Sequence, residues 1–499
     1  MNWKAKPHSK ELRFLISGLT QKNPFLKTED LLSLLSAVRE KNKFFVEEIP
    51  FRKLKNWAFD SKSGNLLHKS GKFFTIEGVD VKTNFGKVPE WSQPIICQPE
   101  IGLLGIITKE IDGILYFLMQ AKMEPGNINL VQLAPTVQAT RSNYTRVHGG
   151  KIPEYLKYFL ENSKSIVLVD SLQSEQGARF LRKRNRNIII EVNQEVPLLD
   201  GFFWLTLGQI QKLLNYNNIV NMDTRTVLSS IPFIRNDTVT GGNSNSLSDL
   251  LKTAENDIDL FEMDVDITKE EIQSYVLSPN EELFGMDDII HWFTKLKIRY
   301  ELDVVSIPLI EVKRWIKTDL QIRHEENKYF SVIAVDVYAE NREKMSWTQP
   351  LLKPQGVGIV AFIIKKFNHV YHFLIQGKIE PGNMDVVEMA PTVQCITGSY
   401  EDEKTKDMPP YLDYVLNASP EKILFSTRQS EEGGRFYKEE NQNIIVRAGD
   451  DFPLQIPDNY IWMTMNQIKE FIKYNNYFNV EARCLLACLG LELIRGDRN

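Results

Sequence analysis

FLMQAKMEPGNINLVQLAPTVQ fills residues 117–138, and FLIQGKIEPGNMDVVEMAPTVQ fills residues 373–394. Gln120 recurs as Gln376, 256 positions later. The same spacing carries Trp91-Ser92-Gln93-Pro94 onto Trp347-Thr348-Gln349-Pro350, and Gln173-Ser174-Glu175 onto Gln429-Ser430-Glu431. Arg179-Phe180 likewise returns as Arg435-Phe436. The chain is therefore an internal duplication. Polar residues kept in both copies stand out from those that drifted.

A chain of 499 residues is too long for one ordinary core. The repeat divides it into a first module over 1–235, a linker over 236–265 and a second module over 266–499. The stretch NDTVTGGNSNSLSDLLKTAENDIDLFE, over 236–262, has the Asn, Ser, Gly and acidic content of a linker. With 42% hydrophobic and 25% charged residues, the composition is that of a globular protein. A net charge of −5 gives no electrostatic footprint for nucleic acid. No run has the apolar length of a membrane span. The start, MNWKAKPHSK, does not read as a signal peptide, so a cytoplasmic location is expected. Cys97, Cys395, Cys484 and Cys488 lack disulfide or zinc spacing, which fits a reducing compartment.

Each copy reads as α+β. Leucines at helical spacing predict a helix over 28–41, with a partner over 286–297. Alternation predicts strands over 73–81 and 329–337. The apolar runs at 101–107 and 357–364 predict strands buried on both faces. Pro-Gly-Asn supplies turn chemistry between two further strands. Helices are expected over PEYLKYFLEN and PPYLDYVLNA, over SEQGARFLRKRN and SEEGGRFYKEEN, and over WLTLGQIQKLLNYNN and WMTMNQIKEFIKYNN. The sum is a mixed sheet flanked by helices in each module.

The doubled polar residues are the candidates for chemistry. Glu124/Glu380 and Asn127/Asn383 flank the turn and could simply tie it down. Thr136/Thr392 and Gln138/Gln394 alternate on a strand and so share a face, where a polar ligand could lie. The following residues diverge: Thr140-Arg141-Ser142-Asn143-Tyr144 in one copy, Ile396-Thr397-Gly398-Ser399-Tyr400 in the other. Arg141 beside Ser, Asn and Tyr suits a phosphate or sugar clamp; a solvated loop is the plain reading. Ser174-Glu175 and Ser430-Glu431 would open helices whose free N–H groups could meet a phosphate, or Ser would merely cap them. His68/His324 precede matching strands and are capping or core residues, or ligands. Trp57/Trp315 could stack on a nucleobase or pack in the core.

Several chemistries have no signature here. There is no dinucleotide fingerprint, Walker loop, HExxH, cysteine-pair metal spacing or Gly-x-Ser-x-Gly elbow.

The doubled QxKxEPGN–APTVQ element, the Tyr-bearing loop after it and the QSExGxRF segment resemble the NDP-hexose 2,3-dehydratases, over nearly the whole chain. The resemblance implies a homodimer built from two tandem Nudix-like modules, each shaping a nucleotide-sugar pocket. SEQGARFLRKRN lacks the glutamate cluster by which Nudix hydrolases hold metal, so no metal-dependent hydrolysis is implied.

The implied substrate is a dTDP-linked 4-keto-6-deoxyhexose, and the reaction is an elimination. The C4 ketone acidifies the C3 proton, a base removes it, and the C2 hydroxyl leaves with a proton, giving a 3,4-diketo-2,6-dideoxy sugar. No cofactor and no metal is needed. On this resemblance Tyr144, Glu175, His68 and Glu124, or their second-module partners, are the proton-transfer candidates, and the divergent Arg141-Ser142-Asn143-Tyr144 loop makes the first module the preferred catalytic one. It puts phosphates near Arg141 or Arg428 and thymine near Trp57 or Trp315. It extends substrate contact to Thr136, Gln138, Thr140, Ser142, Asn143, Ser174, Gln376, Thr392, Val393, Gln394, Thr397, Gly398, Gln429, Ser430 and Glu431. Two other readings compete: a nucleotide-sugar-binding protein without catalysis, and a Nudix-type nucleotide-sugar hydrolase.

Overall fold

The computed structural model describes residues 9–140, 152–160, 164–232, 282–340, 346–368, 370–396, 408–449, 452–453 and 455–489. Each half holds a seven-stranded mixed sheet. In the first half, Ile166–Ser174, Arg184–Glu191, Gly102–Ile111, Ile114–Met123 and Phe202–Thr206 lie side by side. Arg184–Glu191 runs parallel to Gly102–Ile111, and the other neighbours are antiparallel. The second half repeats the order with Ile423–Ser430, Glu440–Arg447, Gly358–Phe367, Val370–Lys378 and Tyr460–Thr464. The central strands are buried on both faces, as their unbroken apolar runs require. The expected helices appear at Thr28–Lys41 and Met286–Arg299. Each buries a narrow stripe, Leu31 and Leu35 in one, Ile289, Phe293 and Leu296 in the other.

Two smaller sheets are shared between the halves. Phe44–Ile49 pairs antiparallel with Phe330–Ala339 of the second half. Leu302–Ile307 pairs in the same way with Thr75–Thr83 of the first. The halves thus exchange strands, and backbone hydrogen bonds bind them together.

The expected helix over SEQGARFLRKRN is not formed. Residues 175–183 make a tight turn, and the chain leaves it directly into Arg184–Glu191. Its backbone is committed elsewhere: Arg179 O accepts from Ile96 N, Leu181 N donates to Ile96 O, and Arg182 N donates to Gly382 O. Residues 431–439 do the same, with Leu352 and Gly126 as partners. The phosphate-binding helix end expected at Ser174 and Ser430 therefore does not exist. Two other helices are shorter than expected. Leu156–Phe159 is a single 3-10 turn and Leu412–Leu416 a short helix. The residues WLT and WMT end strands, and Thr206 and Thr464 then cap helices Leu207–Leu213 and Met465–Ile472.

The EPGN turns clasp the turns of the opposite half. Gly126 N donates to Gly433 O at 2.7 Å, and Lys438 N donates to Gly126 O at 2.7 Å. Gly382 mirrors this with Gly177 O at 2.7 Å and Arg182 N at 2.9 Å. A Cβ on Gly126 would fall 1.6 Å from Phe436 O, and one on Gly382 would fall 1.7 Å from Phe180 O. Close backbone approach explains why both copies keep glycine. Gly126→Ala should cost about 3 kcal/mol or more, because backbone rather than a pliable side chain blocks the methyl. Denaturant unfolding of the variant should show a lowered midpoint; an unchanged one would mean the clasp yields.

Behind the clasp, helices Met222–Ser229 and Val480–Ala487 pack on each other. Arg225 donates to Ser430 O and Arg483 to Ser174 O, so each buried guanidinium reaches into the other half. Gln132 and Ser430 hydrogen-bond at 2.7 and 2.9 Å. The mirror pair is Ser174 and Glu388, where Oε1 of Glu388 has no partner. Burial pushes the Glu388 carboxyl up to about 7. The folded state therefore keeps a proton that the unfolded chain releases near 4.5, and stability falls as pH rises between these values. Glu388→Gln copies the Gln132 arrangement. It should raise stability at pH 8 by about 1–3 kcal/mol and leave it unchanged below pH 4.5. Unfolding midpoints of variant and parent across that range check the sign.

Candidate functional site

The site begins with the strand Val137–Ala139 and the EPGN turn. Gln138 Nε2 donates to Glu124 Oε1 at 3.0 Å, and Lys122 Nζ lies 3.2 Å from the same oxygen. Asn221 closes the chain of amides. Its Nδ2 donates to Gln138 Oε1 at 3.2 Å, while its Oδ1 accepts from Thr224 N and caps helix Met222–Ser229. The cap fixes the amide, the amide fixes Gln138, and Gln138 fixes Glu124. Asn479, Gln394 and Glu380 repeat the arrangement in the second half, at 2.7 and 3.0 Å.

Around Glu124 lies a cavity of about 210 Å³ whose wall comes from both halves. The first half supplies Gln98, Lys122, Glu124, Gln138, Thr140, Lys183, Asn185 and Asp223. The second half supplies Trp347, Gln349, Glu432, Gly434 and Arg435. Three cations thus face three carboxyl groups. Arg435 is steered by Gln98, whose Oε1 accepts from its Nε and Nη2 at 3.2 and 3.1 Å, and it lies over the Phe74 ring. Lys183 is buried and donates to Glu100 O. Burial lowers its pKa, and Arg435 adds to the effect.

The carboxyls differ in surroundings. Asp223 is buried, and its pKa is raised well above the ordinary range by desolvation and by Glu432, Glu175 and Glu124. Desolvation also raises Glu432, but Arg435, Lys183 and Lys122 oppose that rise. Glu175 stands behind the wall. Its Oε1 accepts from Asn185 at 2.6 Å, its Oε2 has no partner, and burial followed by Glu432 pushes it up to about 7.

The second half carries the same frame with altered charges. Glu439 stands where Lys183 does, Gln176 replaces Glu432, Glu481 replaces Asp223 and Pro354 replaces Gln98. Arg179, the mate of Arg435, has Glu439 Oε1 at 3.9 Å. Gln176 donates to Glu431, which also accepts from Asn441.

This duplicated frame matches the sequence profile described as NDP-hexose 2,3-dehydratase twice, over residues 28–231 and 286–489. The chain belongs to the NDP-hexose 2,3-dehydratase family. It is 44% identical over 477 residues to a Saccharopolyspora spinosa protein named dTDP-4-dehydro-6-deoxy-alpha-D-glucopyranose 2,3-dehydratase, covering 96% of this chain and 94% of the relative. Proteins of the same name from Amycolatopsis orientalis and Streptomyces violaceoruber are each 42% identical. The first alignment covers 96% of this chain and 93% of the relative, the second 90% and 94%.

In this family member, Glu124, Gln138 and Thr140 line the cavity, and Glu175 stands directly behind it. Other expected contacts are spent on the fold. The Thr136 hydroxyl donates to Leu118 O and accepts from Ile107 N at 2.9 Å; Thr392 does the same with Leu374 and Ile363. Gln429 Nε2 donates to Leu214 O at 2.8 Å, and Ser174 and Ser430 are held as described above. Glu431 is buried against Gln176 and Asn441 in the second frame, where Gln394 donates to Glu380. Val393 is fully buried. Gln376 lies on a strand beside Ala390 and Tyr460, and Arg428 pairs at the surface with Glu440 at 3.1 Å. Neither is in the cavity wall. Arg141, Ser142, Asn143, Tyr144, Thr397 and Gly398 lie outside the described residues.

Trp57 and Trp315 belong to the cores of the small sheets. Trp57 is 7% exposed and packs on His68, Phe73 and Phe74; Trp315 packs on His324 and Phe330 and donates to Ser92 O at 3.1 Å. His68 meets Ser70 at 2.7 Å, and His324 is buried, its pKa lowered by desolvation. Neither histidine lines the cavity. The nucleobase-stacking expectation gives way to ordinary aromatic packing. Trp57→Phe should therefore leave dTDP affinity within about twofold while lowering stability by about 1–3 kcal/mol. Calorimetric titration beside a melting curve checks both; a loss of affinity above tenfold would return Trp57 to the site.

Sequence reasoning missed Lys183, Asp223, Glu432 and Arg435 as a group. Their signal was present in the repeat. Lys183/Glu439 and Glu432/Gln176 are charge changes inside otherwise repeated segments.

Proposed function

We propose that the cavity shared by the two halves is where this hydro-lyase removes water across C2 and C3 of dTDP-4-dehydro-6-deoxyglucose. The dehydratase activity follows from the family and from relatives aligned over most of their length. The placement rests on one observation: carboxyl groups of unlike environment, Asp223 buried and Glu432 half-buried, share one cavity with Lys122, Lys183 and Arg435. Elimination beside a ketone needs a base, an acid and a positive charge for the enolate oxygen, and those groups supply all three kinds.

A space of about 210 Å³ suits the hexose ring rather than the whole nucleotide sugar. Thr140 lines it, and Arg141, Ser142, Asn143 and Tyr144 follow directly in the chain. In this reading those four residues take the diphosphate and nucleoside, with Tyr144 near the ring. Glu124, held by Gln138 and Lys122, accepts from a sugar hydroxyl. The second frame, with Gln394, Glu431, Thr397 and Gly398, binds a nucleotide sugar without turning it over.

Each module, 1–235 and 266–499 about the 236–265 linker, is Nudix-like, with a mixed sheet and one parallel strand pair. The protein is a cytoplasmic homodimer with no nucleic-acid or membrane partner. Among the described residues no helix is long and apolar enough to cross a membrane, and no group of three or more His, Cys, Asp or Glu is arranged to hold a metal. An elimination beside a ketone calls for no redox cofactor.

Incubating the protein with the 4-keto sugar nucleotide and following C2 by NMR tests the reading. A new C2 methylene is expected, and Arg435→Ala should slow its appearance by about 100-fold or more. Release of dTMP, or full turnover by Arg435→Ala, would contradict it.

A further inference from the structure

Resting on that reading, we propose that Glu432 of the second half removes the C3 proton and that Asp223 of the first half protonates the departing C2 hydroxyl. Three observations carry this. First, both line the cavity, and among the described residues neither carboxyl has a hydrogen-bond partner or an ion pair within bonding distance. The neighbouring acids are committed: Glu124 to Gln138 and Lys122, Glu175 to Asn185. A carboxyl without such anchors is free to turn toward a substrate proton within hydrogen-bond reach.

Second, the surroundings separate the two. Burial and Glu124 raise Glu432, while Arg435, Lys183 and Lys122 stand around it and limit that rise. Asp223 is desolvated by burial and faces Glu432, Glu175 and Glu124, all of which favour its protonated form, with Lys122 as the opposing charge. Both carboxyls are raised, but only Glu432 has three cations limiting the rise, and such unequal surroundings suit a base and an acid at one pH.

Third, the duplication contains its own control. The mate of Asp223 is a carboxylic acid, Glu481, but the mate of Glu432 is Gln176. An amide cannot accept the C3 proton, and Gln176 is tied to Glu431. The second frame therefore keeps an acid and lacks the base, which confines turnover to the first cavity.

The proton transfers balance without a co-reactant. The C3–H bond breaks, its proton passes to Glu432, and its electron pair forms the enolate on the C4 oxygen facing the cavity cations. That pair returns to form the C2–C3 double bond and expels the C2 hydroxyl, which takes the Asp223 proton and leaves as water. In the enol that remains, Asp223 recovers the proton of the C3 hydroxyl. Glu432 returns its own proton to C2. The diketone is released and both side chains are back in their starting states.

Exchange at C3 separates the two roles. In deuterated water, the 4-keto sugar nucleotide exchanges its C3 proton when the base works, whether or not elimination follows. Glu432→Gln should lose both exchange and product formation by about 1,000-fold, whereas Asp223→Asn should lose product by about 100-fold or more and keep exchange within about threefold. Because Gln176 occupies the matching position, Glu432→Gln introduces an amide the frame already accepts. Should Asp223→Asn not fold, Glu432→Ala with added formate decides: formate should restore exchange. Exchange by Glu432→Gln within tenfold of the parent, product from Asp223→Asn within tenfold, or no rescue by formate would overturn the assignment. A parent that forms no product would instead sink the placement of the reaction in this cavity.

Discussion

The reciprocal backbone clasp between the halves is the constraint on which the rest depends. Gly126 sits against the 433–438 turn and Gly382 against the 177–182 turn, close enough that neither can carry a side chain. The first EPGN turn and the 432–435 turn both contribute to the wall of the cavity. Glu124 precedes Gly126 by two residues, and Glu432 and Arg435 flank Gly433. Holding the two turns together therefore sets the spacing of first-half and second-half groups in one step. Strand exchange by Phe44–Ile49 and Leu302–Ile307 makes that placement costly to undo, because opening the halves would strip two sheet edges of their partners.

Duplication built two equivalent frames, and a few charge changes made them unequal. In the first, Lys183 and Arg435 stand with no carboxylate in ion-pair contact among the described residues, and Arg435 is steered by the neutral Gln98. In the second, Glu439 faces Arg179 and is itself pushed up to about 7 by burial. The positive charge of Arg179 is thus partly answered from within the frame. The shared scaffold of Asn–Gln–Glu hydrogen bonds is untouched by these changes. The chain thus separates what shapes the cavity from what reacts in it.

Much of this was legible in the sequence. The repeat gave the two halves, and the apolar runs and leucine spacing gave the central strands and the helices at 28–41 and 286–297, the second of which runs on to Arg299. Glu124 and Gln138 were visible as doubled polar residues in an apolar stretch. The failures have a common physical cause: contacts between halves override local pattern. Residues 175–183 carry helix formers, yet Ile96 and Gly382 take the backbone groups that a helix would use. Ser174, Gln429 and Ser430 look like ligand groups because they are polar and repeated, but they are repeated to bridge the halves. Trp57 and Trp315 are repeated because two equivalent aromatic cores need them. Glu432 and Arg435 lie more than 300 residues from Glu124 in sequence, so no local motif could join them.

A crystal structure with a bound dTDP-hexose analogue tests most directly whether one cavity is assembled from both halves. The hexose should touch Gln138 or Glu124 on one side and Glu432 or Arg435 on the other. A hexose held by residues of a single half, with the shared cavity empty, would contradict it.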